Sequence, residues 1–214
     1  MIVPSWFYLA LDLGQAHDPS AIVLIERRMR NGQTPVYLVR GALRLPLGMP
    51  YPEAVARVRK ILEGSEVAGK CSVVVDGTGV GAPVVDALRT ALTGMRHGTP
   101  EIMAVTITAG EKATEGRSSF GILRWNVPKR DLISGVQMLL ERGDLRIAKE
   151  LREAGPLVKE LLDIRATTKA TGRVRMGADG CGEHDDLAIA LALACWRGQK
   201  ARGIVGGSGR LPGI

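Results

Sequence analysis

Residues 72–81, SVVVDGTGVG, constrain the fold of this chain more than any other stretch of its sequence. Because three consecutive valines leave no polar face, a strand formed here must be covered by protein on both sides. That pattern is typical of a central parallel strand in an α/β sheet. Asp76 ends this strand just before a glycine-containing turn, at the sheet edge where open α/β folds place their functional sites. The alternative is that Asp76 only caps the turn.

The composition suits one soluble domain with a substantial core. The chain has 214 residues, 45% of them hydrophobic and 24% charged, and its net charge of +7 favours a polyanionic partner. Its three cysteines, Cys71, Cys181 and Cys195, form no CxxC pair, which argues against a disulfide framework or a thiolate zinc site. The apolar amino terminus lacks a basic leader, and the longest apolar run is too short to span a bilayer. We therefore expect an intracellular protein with no membrane partner.

The amino-terminal third predicts an antiparallel meander followed by a crossover helix. Three strands are predicted, at residues 6–13, 20–26 and 35–44. Turns with glycine or Asn-Gly separate these strands. The amphipathic period of residues 52–63 predicts a helix, which lets the strand at 72–75 lie parallel to the first strand.

The rest of the chain alternates between predicted helices and strands. Helices are predicted at residues 82–92, 128–142, 150–162 and 187–196, and strands at 101–108 and 145–147. The polar segment 110–124 is predicted to be a mobile loop, and residues 165–176 a basic hairpin that turns at Thr171-Gly172.

This order of elements is that of the ribonuclease H-like fold. We expect a mixed central sheet of five or more strands, an antiparallel meander plus parallel strands, with helices on both faces. One domain is predicted over residues 1–197, and residues 198–214 are predicted to be a flexible tail rich in glycine and arginine.

In this topology three acidic segments meet at one edge of the sheet. Asp12 lies on the central strand, Asp76 closes the parallel strand beside it, and EHDD at residues 183–186 opens the last helix. Mg²⁺ and Mn²⁺ prefer hard oxygen ligands, and two such ions about 4 Å apart activate water and stabilise the leaving oxygen at a scissile phosphate. We therefore predict that Asp12, Asp76 and Asp185, with Asp186 adjacent, bind two metal ions and carry catalysis. Either Asp12 or Asp76 is the bridging ligand.

Each of these aspartates also has a purely structural interpretation. Asp12 could cap the turn at Gly14, and Asp185 and Asp186 could complement the dipole of the helix that they begin. If the carboxylates do form one cluster, their mutual repulsion predicts raised pKa values in the absence of metal.

Four stretches in this order resemble the nuclease domain of the large terminase subunit of tailed bacteriophages. They are ALDLGQAHDPSAIVLIE at residues 10–26, VVVDGTGVGAPVVDAL at 73–88, NVPKRDLISGVQMLLERGDLRI at 126–147 and GEHDDLAIALALA at 182–194. The resemblance covers residues 6–197 and implies metal ligation by Asp12, Asp76 and Asp185, with Asp186 adjacent.

The resemblance also implies a reaction and a setting. The reaction is metal-dependent cleavage of double-stranded DNA, with little sequence specificity, during genome packaging in the host cytoplasm. The implied partners are an ATPase motor, a small terminase subunit and a portal. Because the sequence contains no GxxxxGK[ST] stretch, we predict nuclease activity without ATP hydrolysis, and we expect the motor to lie outside this stretch of chain.

Basic side chains are placed where a nuclease could use them to hold DNA. The predicted phosphate contacts are Lys112, Arg117, Lys129, Lys169, Arg173 and Arg175. Such contacts give affinity without reading bases, and they make binding depend on salt concentration. An aromatic content of only 4% argues against a base-stacking surface for single strands.

Two other functions remain open at this point. A nuclease of the same fold that resolves four-way junctions would cut as a dimer in paired, symmetric nicks. A non-catalytic module for DNA binding or assembly would bind duplex with a steep salt dependence and would not cleave it. A sugar or acetate kinase with an actin-like fold shares the DLG start, but this chain lacks the second phosphate-binding segment and the duplicated domain.

Overall fold

The computed structural model describes residues 5–14, 18–30, 33–78, 81–117, 120–168, 174–177 and 185–201. The strands are β1 (Ser5–Asp12), β2 (Ala21–Arg30), β3 (Gln33–Arg44), β4 (Cys71–Asp76), β5 (Glu101–Thr108), β6 (Thr114–Glu115), β7 (Ile122–Pro128), β8 (Leu145–Ile147), β9 (Arg165–Thr168) and β10 (Val174–Gly177). The helices are α1 (Tyr51–Leu62), α2 (Gly81–Leu92), α3 (Lys129–Glu141), α4 (Ala154–Asp163) and α5 (Asp186–Lys200). In these ranges no helix has the length and apolar character needed to cross a bilayer.

Eight of the described strands form one mixed sheet in the order β6-β7-β5-β4-β1-β2-β3-β8. The first three strands make the predicted antiparallel meander. Strand β4 then pairs with β1 in parallel, and β5 and β7 continue the parallel half. The central strand β1 therefore has the meander on one side and the parallel half on the other.

Side-chain alternation along the strands divides the core between the two faces of the sheet. On β1, Tyr8 and Ala10 face a core shared with α3, α4 and α5, whereas Phe7, Leu9 and Leu11 face a core shared with α1 and α2. The valines of β4 divide in the same way, so this strand is covered on both faces, as its apolar sequence predicts. The protein is thus a three-layer sandwich of helices, sheet and helices.

Strand β3 contains one extra residue where it pairs with β2. Leu24 pairs with Gly41, but its neighbour Ile25 pairs with Val39, which leaves Arg40 without a partner in the register. This is a β-bulge, which bends a strand and changes the direction of the side chains that follow.

The apolar helix α5 lies close against the middle of the sheet. Its residues from Asp186 to Trp196 are all buried, which explains why its sequence is apolar on most sides. Gly198 permits the close approach, because a β-carbon at this position would lie 2.8 Å from the ring of Tyr37. Cys195 on this helix and Cys71 on β4 are buried free thiols.

The predicted mixed sheet with helices on both faces is confirmed, and β5 has the predicted bounds. The prediction of a loop over residues 110–124 is wrong in part, because β6 and the first three residues of β7 lie in it, and β6 pairs with Trp125 and Asn126 of β7. The apolar residues Ile122, Leu123, Trp125 and Val127 give β7 its place in the sheet. The sequence ILRWNVP carried this signal beside a more polar segment.

Two helix ends differ from the predictions by several residues. Helix α4 begins at Ala154 rather than at residue 150, and α5 continues to Lys200 rather than ending at residue 196. The hairpin of β9 and β10 is confirmed as an antiparallel pair, although its predicted turn at Thr171-Gly172 lies outside the described residues. The tail from residue 202 onward also lies outside them.

Candidate active site at the carboxyl edge of the sheet

Asp12 and Asp76 end adjacent strands at the same edge of the sheet. Leu11 of β1 pairs with Val75 of β4 in parallel register, so the aspartates that follow them lie side by side. Alternation places both carboxylates on the face covered by α3 and α5, because Ala10 and Val74 belong to the core on that face. The aspartate that ends β4, Asp76, therefore lies beside a second carboxylate, that of Asp12.

The turn after β4 fixes the orientation of Asp76. The backbone N–H of Thr78 donates a hydrogen bond of 2.8 Å to Oδ1 of Asp76. The hydroxyl oxygen of Thr78 in turn accepts a hydrogen bond of 2.8 Å from the N–H of Ile107, at the end of β5. Asp76 thus caps its turn, as the structural alternative holds, and still faces Asp12. The two interpretations are compatible.

The turn after β1 is closed by a glycine that no larger residue can replace in this conformation. A β-carbon on Gly14 would lie 2.0 Å from the carbonyl oxygen of Asp18. The N–H of Gly14 donates to the hydroxyl of Ser20, which ties the end of β1 to the start of β2. Asp18 itself is an exposed residue of this turn.

The start of α5 brings two further carboxylates to this edge. Asp185 forms an ion pair with Lys129, the first residue of α3, with 2.6 Å between Nζ and Oδ2. Asp186 is buried, and its Oδ2 lies 3.9 Å from Nε of Arg44 on β3. The structure therefore brings together all four aspartates predicted as metal ligands, with one cation beside each of the last two.

The pKa of Asp12 is shifted by burial and by the charges of the other three aspartates. Burial raises the pKa of Asp12 well above its usual range. The charges of Asp76, Asp186 and Asp185 raise that pKa further. The Lys129 ammonium lowers it. The charges of the other three carboxylates all act on Asp12, so the four side chains lie within electrostatic reach of one another.

Asp76 is affected by the same charges, but hydrogen bonding partly offsets them. Burial raises its pKa above the usual value, while the hydrogen bonds from Thr78 lower it. The Lys129 charge lowers it and the Asp185 charge raises it. The predicted rise in pKa is confirmed for Asp12 and Asp76, with burial as its largest cause and carboxylate repulsion added to it.

The donor chemistry of this cluster suits a hard divalent cation, because every candidate ligand is a carboxylate oxygen. As the side chains stand, no three His, Cys, Asp or Glu residues within the described ranges are arranged to hold a metal ion. The Lys129 ammonium donates a hydrogen bond to Oδ2 of Asp185. A metal ion at Asp185 would share that carboxylate with Lys129 or displace the lysine.

The sequence analysis missed two residues that adjoin this cluster. Glu160 on α4 is buried, accepts a 2.9 Å hydrogen bond from the N–H of Ala188, and forms an ion pair with Arg44. The available signal for Glu160 was a charged residue on the apolar stripe of an amphipathic helix, three positions after Leu157. Arg44 gave no such signal, because it ends a strand, where a charge is ordinary.

The predicted DNA contacts fall into three groups. Lys112 and Arg117 are exposed near the short strand β6. Lys129 is half-buried in its ion pair with Asp185, so it belongs to the carboxylate cluster rather than to an open surface. Lys169 and Arg173 lie outside the described residues, and Arg175 lies on β10, where only the backbone is described.

Comparison with known proteins shows similarity in structure. No protein-family model and no curated protein sequence matches the chain. The large terminase nuclease from thermophilic phage G20c with bound magnesium is similar with a TM-score of 0.61 and 22% identity, over 90% of this chain and 82% of that one.

Two further terminase nucleases are similar. The large terminase nuclease domain of Thermus phage P74-26 has a TM-score of 0.58 and 22% identity, over 93% of this chain and 83% of that one. The manganese-soaked terminase nuclease domain of human cytomegalovirus has a TM-score of 0.53 and 15% identity, over 89% of this chain and 83% of that one. At these identities the likeness is one of fold. The chain therefore has the ribonuclease H-like fold of large terminase nuclease domains, as its sequence motifs predict.

Proposed function

We propose that this chain is a metal-dependent endonuclease that cleaves double-stranded DNA with little sequence specificity, as the nuclease of a phage large terminase. One observation carries the proposal. Asp12, Asp76, Asp185 and Asp186 come from three elements far apart in sequence and meet at one sheet edge. A cluster of carboxylates raises the free energy of the folded protein unless something neutralises it, so its persistence needs a functional reason.

In this proposal the four aspartates hold Mg²⁺ or Mn²⁺, two ions during catalysis. When bound, the metal supplies a Lewis acid at the phosphate and lowers the pKa of a water molecule. Asp12 would hold the metal together with Asp76, Asp185 and Asp186, because the charges of those three carboxylates act on it. Thr78 keeps Asp76 turned toward Asp12 through its backbone N–H. Lys129 pairs with Asp185 and partly neutralises it, and its ammonium would be placed to contact a DNA phosphate bound at this edge.

Binding of the duplex is assigned to the basic residues that the sequence analysis identified. We infer that Lys112, Arg117, Lys169, Arg173 and Arg175 contact phosphates, as the net charge of +7 favours. The setting follows from the same proposal: one nuclease domain over residues 1–197, no ATP hydrolysis of its own, and an ATPase motor, small terminase subunit and portal as partners in the host cytoplasm.

A plasmid assay tests this function directly. Purified protein is incubated with supercoiled and linear plasmid in Mg²⁺, Mn²⁺ or EDTA, beside Asp76→Asn. Asp86→Asn is the matched control, because it makes the same change at an exposed position on α2, which packs on the opposite face of the sheet. We expect cleavage with either metal by wild type and Asp86→Asn, and none with EDTA or Asp76→Asn.

Two results would lead to other functions. Paired symmetric nicks on four-way junctions, with linear duplex left intact, would identify a junction-resolving nuclease. DNA binding without cleavage in either metal, together with no calorimetric signal for Mn²⁺ binding, would make the chain a non-catalytic DNA-binding or assembly module.

A further inference from the structure

Glu160 is a buried carboxylate whose two oxygens face two different parts of the site. Oε2 accepts the hydrogen bond from the N–H of Ala188, in the first turn of α5, and Oε1 accepts from Nη2 of Arg44. A carboxylate is costly to bury without partners, so both contacts are needed to keep it inside the protein. Glu160 therefore ties α4 to α5 and to the end of β3.

The contact with α5 supplies a hydrogen-bond acceptor for the first turn of this helix. The first N–H groups of a helix have no partner within it, and Asp185, at the N-cap position, makes no capping hydrogen bond through its side chain. The acceptor comes from Glu160 on another helix instead. The same turn bears Asp185 and Asp186, so the direction of both carboxylates depends on a contact made by α4.

Arg44 connects the second oxygen of Glu160 to the cluster. Its guanidinium pairs with Glu160 and also lies 3.9 Å from Oδ2 of Asp186. One guanidinium thus serves both carboxylates, so the position of the Arg44 side chain couples Glu160 to Asp186.

We propose that Glu160 and Arg44 are positioning residues, which hold the first turn of α5 so that Asp185 and Asp186 face Asp12 and Asp76 in the geometry that binds metal. This inference rests on the proposed function. Partners of metal ligands act in this way in other proteins, where their replacement commonly lowers metal affinity by about 10- to 100-fold. A merely structural role for the pair would change stability and leave metal affinity unaltered.

The test measures Mn²⁺ binding to the full chain by calorimetry, with urea unfolding in EDTA as a separate measure of stability. Glu160→Gln keeps an acceptor for the Ala188 N–H but removes the charge that pairs with Arg44. We expect its Kd for Mn²⁺ to rise about tenfold, at the low end of the range for partners of metal ligands.

The matched control is Glu26→Gln. Glu26 is a buried glutamate on β2 that pairs with Arg28 and Arg40. It lies five residues along β2 from Ala21, the partner of Asp12, and therefore about 17 Å from the site. Glu26→Gln should destabilise the protein and leave the Kd for Mn²⁺ within about twofold of wild type, because the affected pair does not touch a ligand.

The double variant Arg44→Met/Glu160→Met separates stability from positioning even if Glu160→Gln folds poorly. Replacing both partners of a buried ion pair by apolar residues is often neutral for stability. We expect the double variant to unfold at nearly the wild-type urea concentration and still to bind Mn²⁺ about tenfold more weakly.

The possible results distinguish this inference from the proposed function. If wild type binds Mn²⁺ and cleaves DNA, and the Glu160 variants bind it equally well, the positioning role is wrong and the nuclease stands. If Glu26→Gln weakens Mn²⁺ binding as much as Glu160→Gln does, the effect is general destabilisation and the positioning role is also wrong. Wild type that binds no Mn²⁺ would overturn both.

Discussion

Two buried glutamates, Glu26 and Glu160, pair with arginines in the same way yet hold their protons very differently. Their side chains are equally inaccessible, with 5% and 7% exposure. Burial raises the pKa of Glu26, but hydrogen bonds from Arg28 and Arg40 outweigh it and bring the pKa below its usual value. Burial raises the pKa of Glu160 to about 7, despite the lowering by the Ala188 N–H and Arg44.

The difference lies in the balance of charge around each carboxylate. Glu26 accepts from two guanidinium groups, at 2.7 Å from Arg28 and 2.6 Å from Arg40. Glu160 shares one guanidinium with Asp186, whose negative charge raises its pKa. A buried Glu–Arg contact therefore does not by itself keep the glutamate charged. Asp186, a member of the carboxylate cluster, raises the pKa of Glu160. The pKa of Glu26 is set by burial and by its two arginines.

The largest expected effect is on the free energy of unfolding. It differs between the two glutamates because Glu160 has one arginine partner and Glu26 has two. Arg44→Met leaves Glu160 buried without a guanidinium, and we expect a loss of about 3 kcal/mol in the free energy of unfolding, the upper end for a buried acceptor that loses its donor, because Glu160 can take up a proton. Arg40→Met leaves Glu26 with Arg28, so its cost should be about 1 kcal/mol, as for one ordinary hydrogen bond. Urea unfolding in EDTA measures both. Equal losses would mean that the second arginine does not matter.

A smaller effect concerns pH, and here the two glutamates act with opposite sign. Because the folded-state pKa of Glu160 is raised to about 7, the folded protein holds a proton that the unfolded chain releases from about pH 4.5 upward. Its contribution to stability is present below that pH and is lost as the pH rises toward 7. The raised pKa values of Asp12 and Asp76 act in the same direction.

Glu26 has a lowered pKa, so its contribution is present at neutral pH and is lost as the pH falls through its folded-state pKa. We therefore expect the unfolding free energy in EDTA to fall by about 2 kcal/mol from pH 5 to 7, with a smaller fall in Glu160→Gln. Unfolding curves at a series of pH values test this, with Glu26→Gln as the control that keeps the wild-type fall. A rise in stability over this range would contradict the assigned directions.

The smallest expected effect is on the Kd for Mn²⁺ and concerns Arg44 and Lys129, the two cations beside the start of α5. In the proposed site Arg44 orients this turn, whereas Lys129, which pairs with Asp185, would compete with the metal for that carboxylate. Lys129→Met should therefore bind Mn²⁺ more tightly, by up to about fivefold, since a partly exposed pair contributes at most ~1 kcal/mol. Calorimetry decides between this gain and a loss, and a loss would make Lys129 a support of the site. Arg130→Met, at the next position on α3, is the control.

The sequence predicts the core of the site because its signals are local. The apolar run of β4 and the aspartate that ends it can be read within ten residues, and the meander predicts that Asp12 lies beside Asp76. The surroundings of the site depend on contacts between distant residues. Glu160 and Arg44 are 116 positions apart, and Lys129 and Asp185 are 56 apart, so no periodicity reveals either pair.

The missed strand β7 has a different cause. Its alternating apolar residues were present, but the basic and glycine-rich segment before it suggested a loop. Burial of the apolar residues outweighs that local preference, because strand β5 offers β7 a full parallel partner from Ile102 to Thr108.

The extra residue in β3 affects the surroundings of both buried glutamates, because it changes the face of the sheet on which the following side chains lie. Along a regular strand, residues on one face are an even number of positions apart, yet Val39 and Ala42 contact the same core three positions apart. Arg40 is the odd residue, and its side chain reaches Glu26. From there onward even and odd positions exchange faces, so Arg44 points toward α4 and Glu160 instead of toward α1. One added residue thus supplies a cation to Glu26 and directs another to the edge where the aspartates meet.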